Sequence, residues 1–274
     1  MSKSHVQEEK RDDAFCDKIQ TAIWKESPAD SNPYQVAEAR CHGYEHLALT
    51  NNTRFSDMFF LMFRGELPNT AQSVLFERLL ISVIHPGPRH NATRAAMNAA
   101  VSRTQVSNIL PLALNVFSGE WQGSREVQKS MKFLQRYMEQ PADEVAEQHL
   151  KTLADAESIE GDRQTVAGFG TLYGTADAYA QTLADNLAQH CEVGACFRWA
   201  SAYVEKINAA NCGWRTTGLF AAVMVDLGFS AFEGEFVFQI ASAPGIAAQA
   251  AEKVGQPLTA MPFLKDKNYI IERD

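Results

Sequence analysis

Arg215-Thr216-Thr217-Gly218-Leu219-Phe220-Ala221-Ala222-Val223-Met224-Val225-Asp226-Leu227-Gly228-Phe229 is the stretch on which the fold of this chain turns. Residues 217–227 are ambiguous by themselves, because a short apolar run reads equally as buried helix or buried strand. The surroundings are helical in style. Downstream, 229–253 continue the helical pattern, with Pro244 and Gly245 expected to break it. Upstream, 176–189 and 197–207 read as two helices, 127–138 as an amphipathic one, and Pro141-Ala142-Asp143 as the start of another at Asp143.

Further back, Pro111 interrupts 105–117, either kinking a helix or starting one there, and 92–101 is rich in Ala with few breakers. Asn69 and Thr70 are positioned to cap a helix after Pro68, in which Val74, Leu75, Leu79, Leu80, Val83 and Ile84 recur at helical spacing up to Pro86. β-branched alternation is scarce, and Tyr269-Ile270-Ile271 is the one strand-like piece. The pattern as a whole predicts an all-α fold.

With 274 residues the chain suits one large domain or two closely packed ones, and 46% hydrophobic against 21% charged residues supplies an ordinary core. A net charge of −8 argues against nucleic acid and anionic lipid as partners, while leaving room for a local basic pocket. The longest apolar runs, 59–63 and 219–225, fall far short of the roughly 20 residues a bilayer requires. Residues 1–13 are charged and lack the apolar core of a signal peptide, so they read as a frayed tail. Five cysteines do not make a disulfide framework, and a cytoplasmic protein with reduced thiols is expected. Gly161, Gly168, Gly170 and Gly174 mark 161–174 as a hinge or mobile loop of the kind that carries ligand contacts.

Taken in order, several segments resemble the citrate synthase superfamily, above all its short bacterial members and the lyase module of ATP-citrate lyase. Gly43-Tyr44-Glu45 is similar to the family's Gly-Tyr-Asp/Glu turn, and Arg64-Gly65-Glu66-Leu67-Pro68 to its Gly-Glu-Leu-Pro helix junction. His85-Pro86-Gly87-Pro88 stands where short members read Asp-His-Gly-Pro, and Gly119-Glu120-Trp121-Gln122-Gly123 where they read Gly-Asp-x-x-Gly-Gly. Gly168-Phe169-Gly170 matches the start of Gly-Phe-Gly-His-Arg, and Thr217-Gly218-Leu219 with Val225-Asp226-Leu227-Gly228-Phe229 resembles Asn-Val-Asp-Gly and its following helix. The matches run through residues 35–274.

The resemblance implies a citrate synthase-like architecture, with a large helical domain of 35–125 and 230–274, a smaller one of 126–229 that closes over the substrate, and residues 1–34 as a mostly flexible lead-in. It implies a homodimer with sites near the interface, and carbon–carbon chemistry between a CoA thioester and a keto acid. That chemistry uses an Asp base beside the thioester, a neutral His donating to the thioester oxygen, a second His on the partner carbonyl, and arginines clamping carboxylates.

Each expected catalytic residue is replaced. The Asp base falls on Thr217, the His and Arg of the Gly-x-Gly-His-Arg motif on Thr171 and Leu172, the His of Asp-His-Gly-Pro on Pro86 with His85 one position earlier, and another catalytic His on Gln122. The candidate catalytic residues are therefore His85, Gln122, Thr171 and Thr217. Arg89, His90 and Arg215 are substrate-binding candidates, and Gly168, Phe169 and Gly170 cofactor-binding candidates for a CoA thioester.

Each candidate has a plain alternative. His85, Arg89, His90 and Arg94 read equally as a solvated loop and helix start, and Arg215 as a structural arginine. Glu120 and Glu126 are possible relocated bases, but acidic residues at a helix N-terminus commonly answer its dipole. The groups His190, Cys191, Cys196 and Cys41, His42, His46 lack a recognisable ligand spacing, so no metal is expected. Gly168-Phe169-Gly170 is half a dinucleotide fingerprint, with no preceding strand and no third Gly, so the nucleotide reading is rejected. Two functions stay open: a divergent enzyme acting on an acyl-CoA or small carboxylic acid, and a catalytically inactive homologue serving as regulatory or structural subunit, alone or in a hetero-oligomer with a competent paralogue.

Overall fold

The computed structural model describes residues 15–155 and 164–272, so the expected tail at 1–13 and positions 161–163 of the expected hinge loop lie outside the described residues. The chain divides into two units, Met1–Thr53 and Arg54–Asp274.

In the first unit, β1 (Trp24–Ala29) and β2 (Asn32–Cys41) form an antiparallel hairpin. Trp24 lies opposite Cys41, and the register shifts around Pro28, which has no N–H for the ladder. A left-handed turn at His42 and Gly43 (φ 45° and 89°) leads to β3 (Tyr44–Glu45) and α1 (His46–Asn52). The hairpin corrects the expectation that strand is confined to 269–271, which has no regular secondary structure. It starts inside the stretch read as lead-in. Most of β2 is exposed on both faces, so the apolar alternation that betrays a half-buried strand never arises.

The second unit is helical: α2 (Phe55–Arg64), α3 (Thr70–Ser82), α4 (Asn91–Val101), α5 (Val106–Phe117), α6 (Ser124–Tyr137), α7 (Ala142–Asp155), then β4 (Gln164–Val166) and β5 (Phe169–Gly170), then α8 (Ala178–His190), α9 (Ala195–Ile207), β6 (Gly213–Trp214), α10 (Thr216–Asp226) and α11 (Ala231–Ala251). The cap at Asn69 is realised as a reciprocal pair: Gln72 N–H donates to Asn69 Oδ1 at 2.9 Å and Asn69 N–H to Gln72 Oε1 at 3.0 Å. Pro111 sits inside α5, five residues after its start, and does not begin the helix.

The ambiguous run 217–227 is helix. Residues 217–224 are all buried, with no exposed stripe, because α10 is wrapped by α3, α6, α8, α9 and α11. A helix apolar all round is a core helix, which explains why its period was hidden. At its end, Asp226 accepts from the N–H groups of Cys196 at 2.8 Å and Phe197 at 3.0 Å. One core helix thereby caps the start of α9, whose own N-cap, Gly194, has no side chain to do so. Burial raises the Asp226 pKa, and the backbone donors oppose that.

Helix α11 is continuous over 21 residues with Pro244 inside it, where the sequence predicted a break. Docking explains the difference. Ser242 Oγ donates to Val83 O at 2.9 Å and Gly245 N–H to Ile84 O at 3.1 Å, so a side-chain hydroxyl and a backbone N–H on either side of the proline are bound by the residues that follow α3. A Cβ on Gly245 would overlap Ile84 O and the backbone of His85, so this contact also fixes the His85 loop. No helix among the described residues is long and apolar enough to cross a membrane.

Candidate functional site

Two loops meet backbone to backbone. Strands β4, β5 and β6 form a small antiparallel sheet in which Phe169 pairs with Trp214 and Gly170 with Gly213, and Arg215 N–H donates to Gly168 O at 3.0 Å. Gly168 has φ 84°, and a Cβ on Gly218 would overlap the Gly168 carbonyl. Both glycines are therefore demanded by sterics, independently of any ligand.

Glu126, wholly buried in the first turn of α6, ties this junction together. Its Oε2 accepts from Gln122 N–H at 2.6 Å. Its Oε1 accepts from Gln164 Nε2 at 2.8 Å, from Gly168 N–H at 3.1 Å and from Arg215 Nη1 at 3.0 Å. Arg215, 2% exposed, also donates from Nε to Thr171 O at 3.1 Å, and its guanidinium lies 5.2 Å from the Trp121 ring centroid. Glu126 thus reads as a structural tie. Glu120 is outside the junction, paired with Lys129 at 2.8 Å on the exposed flank of α6.

Beside the junction lies a cavity of about 340 Å³, within the usual range for small-molecule sites. His85, His90, Gln122, Arg215 and Thr217, from three separate segments, all line it. The remaining candidates do not. Thr171 is buried and meets Arg215 through its carbonyl, with Leu172 reaching the cavity in its place. Gly168, Phe169 and Gly170 are buried behind it, and Phe169 packs on Tyr203 and Trp214 at 5.3 Å each. Arg89 is exposed and lines, with Arg94 and Tyr173, a separate, more open depression.

The two histidines are held as hydrogen-bond donors. His85 Nδ1 accepts from Gly87 N–H at 2.7 Å, which leaves the proton of the neutral ring on Nε2. His90 is the N-cap of α4: its Nδ1 accepts from Ala92 N–H at 3.1 Å, and its Nε2 bonds Gln122 O at 3.2 Å. Burial lowers the His90 pKa, with the Gln122 carbonyl opposing, so the ring is neutral near pH 7. Gln122 itself sits in the left-handed region (φ 57°), its N–H held by Glu126 and its carbonyl by His90. Such strain persists only where the surroundings over-determine it.

Sequence reasoning missed Asp177, the one carboxylate that lines the cavity among the described residues. Its Oδ1 accepts from Tyr179 N–H at 3.0 Å and Ala180 N–H at 3.1 Å, capping α8. The sequence reading began this helix at 176, one position ahead of Asp177, and so hid an Asp that is a favoured N-cap residue. Trp121, Leu183 and Phe238 were also missed. Core and cavity-wall apolar residues carry the same pattern, so no sequence signal separates them. No group of three His, Cys, Asp or Glu side chains among the described residues is arranged to hold a metal. Strand β4 does precede Gly168, but no helix starts at the glycines, so the dinucleotide fingerprint still fails.

No protein-family model and no curated protein matches the sequence. Solved structures do. Citryl-CoA lyase from Hydrogenobacter thermophilus aligns over 93% of this chain and 94% of its own, with TM-score 0.74 and 21% identity. ATP citrate lyase from Methanothrix soehngenii, in complex with citrate and coenzyme A, aligns over 95% of this chain and 44% of its own, with TM-score 0.68 and 13% identity. Citrate synthase from Thermotoga maritima aligns over 93% of this chain and 94% of its own, with TM-score 0.55 and 15% identity. With eleven α-helices among the described residues, a buried central α10 and a cavity at that helix's start, the chain has the citrate synthase-like fold.

Proposed function

We propose that the cavity binds an acyl-CoA thioester or a small carboxylic acid, without the proton abstraction that citrate formation requires. The observation that carries this reading is the convergence of His85, His90, Gln122, Arg215 and Thr217 on one cavity whose lining offers no uncommitted carboxylate. Thr217 stands where the resemblance places the base, and a hydroxyl without an activating partner is a poor one. The ATP citrate lyase complex with citrate and coenzyme A supports a CoA derivative or a small carboxylic acid as the ligand class.

The protein acts on this reading as a ligand-binding homologue, regulatory or structural, in the cytoplasm. We place it in a homodimer or beside a catalytically competent paralogue. Exposed Leu112 and Val116 on α5, with Phe232, Phe236 and Ile240 on α11, support such an assembly, because these two helices pack together and leave apolar surface uncovered. The smaller domain, 126–229, closing over the ligand belongs to the same proposal.

One observation favours a second reading. Asp177 lines the same cavity, and as a proton acceptor it supports altered carbon–carbon chemistry on the same ligand. Calorimetric titration with CoA and acetyl-CoA, with citrate or oxaloacetate present and absent, tests the shared premise. Micromolar affinity is expected. Absence of heat with every ligand overturns the reading.

A further inference from the structure

Thr217 poses a problem that the reading above leaves unsolved. Its side chain is 3% exposed, its Oγ1 has no hydrogen-bond partner among the described residues, and it lines the cavity. A buried hydroxyl with no partner is costly to keep. It sits in the first turn of α10, an 11-residue helix whose N-cap, Arg215, makes no side-chain cap bond. The first bonded N–H groups of that turn are those of Gly218 and Leu219, both to Arg215 O. Those of Thr216 and Thr217 have no acceptor among the described residues. A helix start with uncapped N–H groups favours an anion, and here an unpartnered hydroxyl stands on the same spot.

The rest of the cavity limits what that anion is. The one lining cation, Arg215, is already bound to Glu126 and to Thr171 O. His85 contributes an Nε2–H donor when neutral. Asp177 adds a negative charge that its own helix start, through Tyr179 and Ala180, only partly answers. A second or third carboxylate on the ligand would meet only this guanidinium, whose charge Glu126 already balances, and would face Asp177. Val83, Pro86, Leu172, Leu183 and Phe238 offer apolar wall instead.

We infer that the cavity takes a monocarboxylate with an apolar body, its carboxylate seated on the start of α10 against Thr217 Oγ1. The inference rests on the proposed ligand-binding role of the cavity and names the ligand class. It turns the end of the site where the resemblance places a base into an anion seat.

The test is calorimetric titration of the full-length protein with hexanoate, hexanamide, citrate and acetyl-CoA, in the wild type and in Thr217→Val and Thr217→Asp. Hexanoate is expected to bind the wild type at least tenfold more tightly than hexanamide or citrate. Thr217→Val exchanges the hydroxyl for a methyl group and is expected to fold normally, as a urea midpoint will report, while weakening hexanoate about tenfold, the factor that 1.4 kcal/mol represents. Thr217→Asp is expected to abolish hexanoate binding. Hexanoate binding that Thr217→Val leaves unchanged overturns the inference, as does citrate binding more tightly than hexanoate. Acetyl-CoA bound with hexanoate silent sinks the inference and leaves the proposed function standing. Silence of both sinks the two together.

Discussion

Replacing Glu126 by Gln is expected to destabilise the protein by about 3–5 kcal/mol, the range found when one partner of a buried ion pair is removed. The side chain is 0% exposed and Arg215 opposite it is 2% exposed, so neither charge is relieved by solvent. Gln keeps the shape but removes the charge that faces the guanidinium. One of its two terminal positions also becomes a donor, which meets either Gln122 N–H or the three donors now converging on Oε1. The loss is spread over three segments, because Gln122, Gly168 and Arg215 lie on separate loops. Ligand affinity is therefore expected to fall together with the urea midpoint. An unfolding free energy, taken from the urea midpoint and slope, within about 1 kcal/mol of wild type would show that the tie carries little.

Gly218→Ala is expected to cost about 3 kcal/mol or more, at the upper end of what overpacking produces. The added methyl would overlap the carbonyl oxygen and carbon of Gly168, which are backbone atoms and cannot rotate away. Opening that contact also strains the Arg215 N–H bond to Gly168 O. Gly119→Ala is the control: its Cβ would meet only Val116 O, at 3.4 Å, an ordinary contact. A thermal melt in which both variants fall equally would contradict the close-approach explanation.

The helical core was legible because its periods and caps are local. Asn69 with Gln72 and the 127–138 face follow from neighbours within a turn or two, whereas the start of α9 is capped by Asp226 from α10. The exposed hairpin at 24–41 was not, since neither face buries enough to write an alternation into the sequence. Pro244 misled because its compensation comes from Val83 and Ile84, some 160 positions upstream, a distance local reasoning does not span. The same limit governs the site. His85, His90, Gln122, Arg215 and Thr217 were legible as candidates, and they do share a cavity. Glu126 carried an acidic residue's promise of proton transfer, and its four partners on three other segments were invisible until the chain was folded.

The central proposal is that this cavity keeps a ligand site while no group among the described residues pulls a proton from a thioester. Loss of deuterium from acetyl-CoA labelled at its methyl carbon, followed by proton resonance at saturating protein, measures that step alone. The account predicts exchange no faster than in buffer, in wild type and in Asp177→Asn alike. Exchange at an enzymatic rate that Asp177→Asn abolishes would contradict it and establish Asp177 as the base.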